Sequence, residues 1–365
     1  MAFKIPLTVP SIGELEERRV LEALRKSEVS GLGEFVTRFE GHFAEAHNMK
    51  HALAVSNGTV ALHLALLALG IKKDDEVIVP SLTYIAPVNA IRYVGAEPVF
   101  VDVDRDTWCI SASAISAAVS PRTRAIMAVN LYGMVPNFEA IRSVARKHQL
   151  VIIEDAAESL FARRKGQLAG SFGDVSTFSF YGNKLLTAGE GGAVLTKSAD
   201  LADQMRLLRG QGMDPNRRYY FPVVGYNYRL SNIQAALLYA QFERRDVLFQ
   251  LRAKVIESYR ELLGNSEQVT LRELDKDVLE SPWLMTVLIN EMNGRTRSHV
   301  MTKLNALGIE TRPIFLPIHT LPPYLNCKRG DLTVTEDLSA RGISLPTHPN
   351  LSEGDVSSVV EAIIS

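Results

Sequence analysis

The sequence predicts an α/β fold in which helices flank a large, mostly parallel sheet, followed by a smaller C-terminal α+β domain. Between residues 51 and 196, apolar runs of strand length alternate with segments of helix length, the order of repeated strand–helix–strand units. Residues 150–155 (L-V-I-I-E-D) form a continuous apolar run that ends in two acids. That pattern is typical of a buried parallel strand whose carboxyl end opens onto a site.

The elements of the first part follow from apolar periodicity and from the residues that end each run. Two helices precede the sheet, at 13–26 and 34–47, separated by the loop S-G-L-G. Further helices are predicted at 84–94, 112–118 and 138–148. Strands are predicted at 52–55, 76–79, 98–103, 125–131, 150–155, 175–180 and 191–196. Because crossovers between parallel strands are right-handed, these helices are expected on both faces of the sheet.

The C-terminal part changes character after one long amphipathic helix predicted at 231–254. We place the domain boundary on that helix, giving a large domain at 1–245 and a small domain at 246–365. A strand at 283–290, a helix at 295–307 and a strand at 309–311 follow. A closing helix starts at Glu353, with Ser352 as its N-cap.

The composition indicates which general classes of protein the chain can belong to. The chain has 365 residues, 46% of them hydrophobic, which is enough to bury a large core, and a formal net charge of -1. Near-zero charge favours neither nucleic-acid nor membrane partners. Two cysteines cannot form a disulfide framework, no apolar run is long enough to span a membrane, and the first residues lack a signal-peptide core. We therefore expect a cytoplasmic enzyme, and the spacing of potential ligands predicts no metal site.

One lysine stands out in the stretch 171–196. Lys184 lies in a glycine-rich turn between the strands predicted at 175–180 and 191–196. A tightly packed turn can hold such an amine rigid and partly desolvated, which makes Lys184 a candidate Schiff-base lysine. A surface lysine in a glycine-rich hairpin is the alternative from this segment alone.

Two upstream features complete a chemical pattern. Pyridoxal phosphate needs a lysine, a carboxylate beside the pyridinium nitrogen and an anchor for its phosphate. Asp155, at the end of its strand, suits the carboxylate role. Around Asn57, the segment S-N-G-T joins a short strand to an apolar helix, so the amides of Gly58 and Thr59 would favour an anion at the helix N-terminus. His63, on that helix, is predicted to be a packed residue.

Taken together, six motifs resemble the nucleotide-sugar aminotransferases of the DegT/DnrJ/EryC1/StrS family, and the resemblance covers nearly the whole chain. They are S-N-G-T at 56–59, P-S-L-T-Y at 80–84, E-D-A-A-E-S at 154–159, S-F-Y-G-N-K at 179–184, G-E-G-G at 189–192 and G-Y-N-Y-R-L-S-N-I-Q-A-A at 225–236. The resemblance implies a fold-type I aminotransferase that uses pyridoxal 5'-phosphate, takes its amino group from L-glutamate and forms a homodimer with shared active sites.

The resemblance also implies roles for individual residues. Tyr84 would stack on the pyridine ring and Ser179 would bind the phosphate, although either could be an ordinary core residue. Glu158 stands where many members carry glutamine or histidine near the cofactor's phenolic oxygen, so it would bind as a neutral acid or point elsewhere. Asn227, in the loop at 225–229, would reach the cofactor phosphate of the partner subunit, and Arg229 would contact substrate there.

The substrate is expected to be a nucleotide sugar. Arg312 and His319 lie in a proline-rich segment, 310–324, that resembles the part of the family lining the sugar-nucleotide cleft. Arginine suits a pyrophosphate because its planar fork donates two hydrogen bonds. Arg217 and Arg218 could add charge, or could be surface residues. Within the family we expect GDP-4-keto-6-deoxymannose, aminated at carbon 4 for surface polysaccharide, and UDP- or dTDP-linked 4-keto-6-deoxy sugars stay open.

Three other functions remain open at this point. Family members that act as dehydratases carry histidine in place of the lysine, so Lys184 argues against that activity. A regulatory or scaffold protein of the same fold would not need both Lys184 and Asp155. Another pyridoxal phosphate enzyme of this fold, such as a desulfurase or an aldolase, can be separated only by substrate assays.

Overall fold

A computed structural model of the protein describes residues 3–273, 275–292 and 295–365. Its large sheet has eight strands in the order β1-β9-β8-β5-β4-β2-β3-β14. Every neighbouring pair from β8 across to β14 is parallel, whereas β9 runs antiparallel to both of its neighbours. The mostly parallel sheet is therefore confirmed. Its strands are β1 (His51–Val55), β2 (Glu76–Pro80), β3 (Glu97–Val101), β4 (Thr123–Val129), β5 (Val151–Asp155), β8 (Val175–Ser179), β9 (Gly192–Thr196) and β14 (Lys328–Arg329).

Helices cover both faces of this sheet because the strands are apolar on both sides. Along β4, Ile126 packs into one core and Met127 into the other, the alternation expected of a strand buried on two faces. The α-helices are α1 (Glu14–Arg25), α2 (Glu34–Ala46), α3 (Gly58–Ala68), α4 (Ile85–Tyr93), α5 (Ala112–Ala118), α6 (Phe138–His148), α7 (Ala199–Arg209), α8 (Asn232–Glu243), α9 (Arg245–Leu263), α10 (Arg297–Ala306), α11 (Thr333–Arg341) and α12 (Glu353–Ile364).

A second sheet of four strands lies in the C-terminal part, in the order β10-β12-β15-β13. A separate apolar cluster joins this sheet to α9, α10 and α12, and Ser352 forms the predicted capping box of α12. A third, small sheet has the order β11-β6-β7. The remaining strands are β6 (Arg163–Arg164), β7 (Gln167–Leu168), β10 (Val269–Leu271), β11 (Val278–Leu279), β12 (Met285–Ile289), β13 (Arg312–Pro313) and β15 (Gly342–Leu345).

Two predicted elements differ from the structure. The single helix predicted at 231–254 is two helices, because the backbone leaves helical geometry at Arg244 (φ -97°, ψ 7°), which ends α8 and precedes α9. The strand predicted at 309–311 begins later, as β13, and Ile309 makes only an isolated bridge to Ile5. None of the helices in the described ranges combines the length and the apolar character needed to cross a bilayer.

The division into domains at 1–245 and 246–365 stays a prediction. Several contacts cross the proposed boundary, among them two that involve the edge of the large sheet and the N-terminal segment. Strand β14 pairs with β3 at the edge of the large sheet, and Ile5, near the N-terminus, packs into the C-terminal apolar cluster.

Candidate active site

A cavity of about 700 Å³ lies at the carboxyl ends of the parallel strands, where ligands bind in open α/β sheets. The ends of β4, β5 and β8 each place a residue on its wall, as do the N-terminus of α3 and the segment around β13. Nine of the residues singled out in the sequence line this cavity: Asn57, Gly58, Thr59, Tyr84, Asp155, Glu158, Ser179, Lys184 and Arg312. The fold thus brings together groups that are up to 255 positions apart in the chain.

Three predicted residues do not line the cavity of their own chain. Asn227 forms a backbone bridge with Gly210, and the side chain of Arg229 packs against Gly31 and Gly210. His319 lies in a separate surface cleft, where its ring nitrogens contact Ser81 Oγ at 2.8 Å and Glu336 Oε1 at 3.1 Å. Since His319 is buried and both ring nitrogens have partners, the structure gives no support to its expected role in substrate binding.

Lys184 lies in a short turn after β8. Its N–H donates to the Tyr181 carbonyl oxygen at 2.9 Å, and the Phe180 carbonyl accepts from Ala188 N at 2.9 Å, which closes the loop that carries the lysine. The amine extends into the cavity, where only 14% of the side chain is exposed. This burial agrees with the partial desolvation expected of the lysine.

The amine of Lys184 is surrounded by ionisable groups. Burial lowers the pKa of Lys184, and the negative charges of Glu158 and Asp155 oppose that shift. Lys184 Nζ lies 3.8 Å from Glu158 Oε1. A lysine whose ammonium form is disfavoured can act as a nucleophile or as a proton carrier near neutral pH.

Asp155 ends β5 and is almost fully buried. Its Oδ1 accepts a hydrogen bond from Ala157 N at 3.1 Å. Burial raises the pKa of Asp155 to about 6, although the Ala157 N–H and the charge of Lys184 both favour the carboxylate. A positively charged group in the cavity would favour ionisation further, so Asp155 is suited to pair with a pyridinium nitrogen.

Glu158 follows on the same loop and is held by the backbone opposite. Glu158 Oε2 accepts a hydrogen bond from Tyr132 N at 2.8 Å. Burial raises the pKa of Glu158 to about 7, with the Lys184 charge as the main opposing effect. At neutral pH this carboxyl can therefore exchange a proton with its surroundings.

The turn that holds Glu158 has an unusual backbone. Tyr132 adopts a left-handed conformation (φ 47°, ψ 46°) within the short 3-10 turn Leu131–Gly133. Gly133 follows at φ +85°, and a Cβ there would lie 2.1 Å from the carbonyl oxygen of Ser281. Only glycine permits this close approach, by which the C-terminal part of the chain is brought against the cavity.

The N-terminus of α3 lies in the wall of the same cavity and is suited to bind an anion. Asn57 Oδ1 caps the helix by accepting from Val60 N at 3.0 Å, and the amides of Gly58 and Thr59 are first-turn donors without an intrahelical acceptor. A Cβ on Gly58 would lie 2.9 Å from Ser179 Cβ, so glycine lets the helix end approach Ser179. The amides and the serine hydroxyl together suit a phosphate.

Sequence patterns did not predict three residues that surround Lys184. The Trp283 ring centroid lies 3.9 Å from Lys184 Nζ, and Trp283 Nε1 donates to the Asn183 carbonyl at 3.0 Å. Arg252, on α9, donates to the carbonyl oxygens of Lys184 at 3.0 Å and Trp283 at 3.3 Å. Tyr132 is the third. The scarcity of tryptophan, with two in the chain, was the one signal that could have drawn attention to Trp283.

The donor set fits pyridoxal phosphate. The cavity lining combines the N-terminus of α3, a buried carboxylate and a lysine amine. Two buried polar atoms that line the cavity, Thr83 Oγ1 and Asn183 Oδ1, have no hydrogen-bond partner within the described part of the chain. Such atoms in a polar cavity indicate a missing ligand or solvent. Tyr84 lies 56% exposed at the mouth, where its ring can cover a bound aromatic cofactor.

Comparison with known proteins identifies relatives over almost the entire chain. The model of the DegT/DnrJ/EryC1/StrS aminotransferase family matches residues 10–364. A protein of Caulobacter vibrioides named GDP-perosamine synthase is 47% identical over 361 residues, which cover 99% of this chain and 97% of that protein. A protein of the same name from Escherichia coli O157:H7 is 44% identical, covering 98% of this chain and 97% of the relative.

Solved structures give the same fold. The structure of DesI, determined in the presence of its TDP-sugar product, superimposes with a TM-score of 0.92 and 35% identity, covering 99% of this chain and 93% of that one. The α/β fold class expected from the sequence is confirmed by this agreement.

Proposed function

Because this chain belongs to the DegT/DnrJ/EryC1/StrS family and is a pyridoxal phosphate-dependent sugar aminotransferase, we propose that it converts GDP-4-keto-6-deoxymannose to GDP-perosamine, with L-glutamate as the amino donor. The observation that carries the choice of substrate is the 47% identity, over nearly the full length of both chains, to a GDP-perosamine synthase. The product would serve as a precursor of bacterial surface polysaccharide. A cytoplasmic location stays a prediction from the sequence.

Different residues of the cavity would hold different parts of the cofactor. The amides of Gly58 and Thr59, with Asn57 and Ser179 beside them, would bind its phosphate, Asp155 would face the ring nitrogen, and Tyr84 would cover the ring. When bound, pyridoxal phosphate supplies a reactive aldehyde and an electron-accepting ring. Asp155 contributes by holding a proton at the ring nitrogen, which requires the aspartate to stay ionised there.

Lys184 would serve as both anchor and proton carrier. When its amine is free, burial lowers the pKa of Lys184, which makes the amine better able to take a proton from one carbon and return it to another. Glu158, 3.8 Å away, is the nearest group able to restore the protonation state of Lys184. Its own pKa of about 7 suits that exchange at neutral pH.

Arg312 is our candidate for contact with the sugar nucleotide. Its guanidinium lines the cavity near the mouth, 54% of the side chain is exposed, and its neighbour in space is Glu310, at 3.2 Å. A pyrophosphate could replace that weak surface pair with two parallel hydrogen bonds. The location of His319 in another cleft removes the support for its part in this contact.

We further infer a homodimer with shared sites. The loop that carries Asn227 is preceded by exposed apolar side chains, Tyr219, Phe221 and Val224, whose exposure ranges from 50% to 87%. An exposed apolar patch of this kind suits burial against a second copy. Asn227 and Arg229 lie outside their own cavity, so a role in catalysis requires them to act in the neighbouring subunit.

The second candidate substrate is a dTDP- or UDP-linked 4-keto-6-deoxy sugar. It is favoured by the likeness to DesI, whose structure was determined with a TDP-sugar product. Neither Arg312 nor the helix N-terminus distinguishes one nucleoside base from another, since both recognise phosphate. A dehydratase is disfavoured because Lys184 occupies the position at which dehydratases of the family carry histidine.

A substrate panel tests the proposal. Purified protein is loaded with pyridoxal phosphate, supplied with L-glutamate and offered GDP-, UDP- and dTDP-linked 4-keto-6-deoxy sugars, with the amino sugar detected by mass spectrometry. We expect the GDP sugar to be aminated at carbon 4 with the highest kcat/KM. A higher kcat/KM for the UDP or dTDP sugar would replace this substrate assignment and leave the aminotransferase assignment intact.

A further inference from the structure

The amine of Lys184 contacts Trp283, a residue of the C-terminal part of the chain that no sequence motif singled out. Lys184 Nζ lies 3.9 Å from the centroid of the Trp283 ring and 3.8 Å from Glu158 Oε1. Trp283 is only 4% exposed, so the contact is shielded from water. The lysine is thus in contact with an aromatic face as well as with a carboxyl.

Several contacts fix the orientation of this ring. Its Nε1 donates to the Asn183 carbonyl, the residue before the lysine. The ring of Tyr132 lies nearly parallel to it, with centroids 5.7 Å apart and planes inclined by 15°. Tyr132 also donates its N–H to Glu158, so the same turn supports both groups that contact the amine.

Arg252 completes the support from the other side. Its guanidinium is buried and donates to the carbonyls of both Lys184 and Trp283, which ties the two residues together through one side chain. Helix α9, which carries Arg252, is therefore linked directly to the lysine turn. The arrangement thus joins the lysine turn, α9 and the segment before β12 through direct hydrogen bonds.

We propose that Trp283 is a positioning residue that receives the ammonium of Lys184 whenever this amine is released from the cofactor, and that it keeps Lys184 available as a proton carrier. This inference rests on the proposed function in one respect only, that transamination includes a state in which the amine is free. An aromatic face attracts an ammonium through its quadrupole, most strongly for tryptophan, and the attraction grows when water is excluded. An aliphatic side chain of similar size at position 283 would keep Lys184 buried but would not attract its ammonium group.

The consequence is a specific effect on the titration of Lys184. Burial favours the neutral amine, whereas the charges of Glu158 and Asp155 favour the ammonium. The face of the Trp283 ring would favour the ammonium in addition. If the ring is removed and burial is kept, the ammonium loses one of its stabilising contacts. The pKa of Lys184 should then fall, by about half to one and a half units for a desolvated cation–π contact.

The test compares Trp283→Leu, Trp283→Phe and the unaltered protein. Each full-length protein is loaded with pyridoxamine phosphate, in which Lys184 is free, and then labelled with trace acetic anhydride from neutral to alkaline pH. Mass spectrometry gives the acetylation of the Lys184 peptide relative to that of exposed Lys197. The burial of Lys184 slows its acetylation by the same factor at every pH. The midpoint of the curve of acetylation rate against pH therefore reports the pKa of the amine.

We expect the midpoint to fall by at least half a unit in Trp283→Leu and by less in Trp283→Phe, because phenylalanine keeps a weaker aromatic face. Phe315→Leu is the matched control, since Phe315 is the next ring of the same stack, 5.3 Å from Tyr132, and does not contact the amine. An unchanged midpoint in Trp283→Leu, or an equal fall in Phe315→Leu, would overturn the proposal. If Trp283→Leu does not fold, an unchanged midpoint in Trp283→Phe overturns it instead.

This outcome is independent of the sugar assays. The labelling needs no sugar acceptor and no turnover, and it can be repeated on the cofactor-free protein. A chain that aminates none of the offered sugars could still show the shift, which would leave the role of Trp283 intact and remove only the substrate assignment.

Discussion

Glu154 and Asp155 are adjacent in the sequence, yet their carboxyl groups have opposite surroundings because successive side chains of β5 point to opposite faces. Glu154 accepts hydrogen bonds from three backbone N–H groups of the turn at 170–173 and from the side chains of Asn130 and Ser176. Asp155 accepts one, from Ala157, and lines the cavity. Glu154 therefore has a structural role, whereas Asp155 can interact with a ligand in the cavity.

Replacing these two acids should therefore have different effects. Asp155→Asn keeps the shape of the site but removes the charge that holds a proton at the ring nitrogen, so we expect turnover to fall by several orders of magnitude with little loss of stability. Steady-state kinetics and thermal unfolding measure the two effects. A loss of rate below tenfold would move the role to another acid.

Glu154→Gln is the matched comparison. In this variant the amide nitrogen would face backbone N–H groups that donate to the Glu154 carboxylate in the unaltered protein. Each buried polar group left without a partner costs about 1–3 kcal/mol of unfolding free energy. We expect a lower melting temperature, with turnover per folded molecule close to normal. A stable Glu154→Gln protein with strongly reduced turnover would contradict this division of roles.

Lys184→Ala should abolish turnover. The anion site at α3 and Asp155 do not depend on the lysine, so the variant should still bind pyridoxamine phosphate. Absorbance and equilibrium dialysis measure binding, and amino-sugar formation measures turnover. Lys197→Ala, which removes an exposed lysine just after β9, is the control and should behave normally. Transaminase activity above a trace in Lys184→Ala would exclude Lys184 as the essential amine.

Glu158→Gln tests the buried carboxyl through the pH dependence of stability. The folded state raises the pKa of Glu158 from its ordinary 4.5 to about 7, so the folded protein binds this proton more tightly than the unfolded chain. Stability due to this group is therefore complete at low pH and is lost as pH rises from about 4.5 to 7. Glutamine does not titrate and can still accept the Tyr132 N–H.

The stability difference between Glu158→Gln and the unaltered protein should thus change by about 3 kcal/mol in favour of the variant between pH 4.5 and pH 8. Urea unfolding of the cofactor-free proteins at several pH values measures it, and Glu336→Gln, an exposed acid in another cleft, is the control. A difference that does not vary with pH would mean that Glu158 titrates normally.

Arg312→Ala should weaken binding of the sugar nucleotide. Loss of a charge-assisted, two-point contact with a pyrophosphate is expected to raise KM for the nucleotide sugar by about 10- to 100-fold, because such bonds contribute about 1.5–3 kcal/mol. Arg312→Lys keeps the charge without the fork and should be intermediate. Arg329→Ala, in the separate cleft, is the control. An unchanged KM would remove Arg312 from the nucleotide contact.

The sequence could reveal those parts of the site that depend on neighbours in the chain. Lys184 lies in a glycine-rich turn and Asp155 at the end of an apolar run, so local patterns singled out both as candidates. Trp283 lies 99 positions after Lys184 and Arg252 lies 68 positions after it, and neither belongs to a pattern that marks a site. Their contacts follow from the packing of α9 and of the segment before β12 against the lysine turn, which periodicity does not specify.

The same limit explains the errors in the predicted elements and the separation of His319 from the cavity. The apolar pattern continues through Arg244, so periodicity gave one helix where the backbone turns. His319 carries the chemistry of a ligand-binding residue, but its ring is occupied by Ser81 and Glu336, contacts that span 238 and 17 positions. Residue type indicated what His319 could do, whereas only packing decides which cleft it faces.

The final prediction concerns the shared site. Asn227→Ala and Lys184→Ala should each be inactive as purified homodimers, the first because the cofactor phosphate loses a contact supplied by the partner. Random exchange of subunits makes about half of the dimers mixed, and in these both lesions fall in one site while the other is intact. Activity should then recover to about a quarter of the normal value, measured as amino-sugar formation after subunit exchange has been verified with differently tagged chains. If Asn227 acts within its own subunit, every site of a mixed dimer carries one lesion and no activity returns. The recovery therefore distinguishes an asparagine that completes the neighbouring site from one that only shapes the loop before α8.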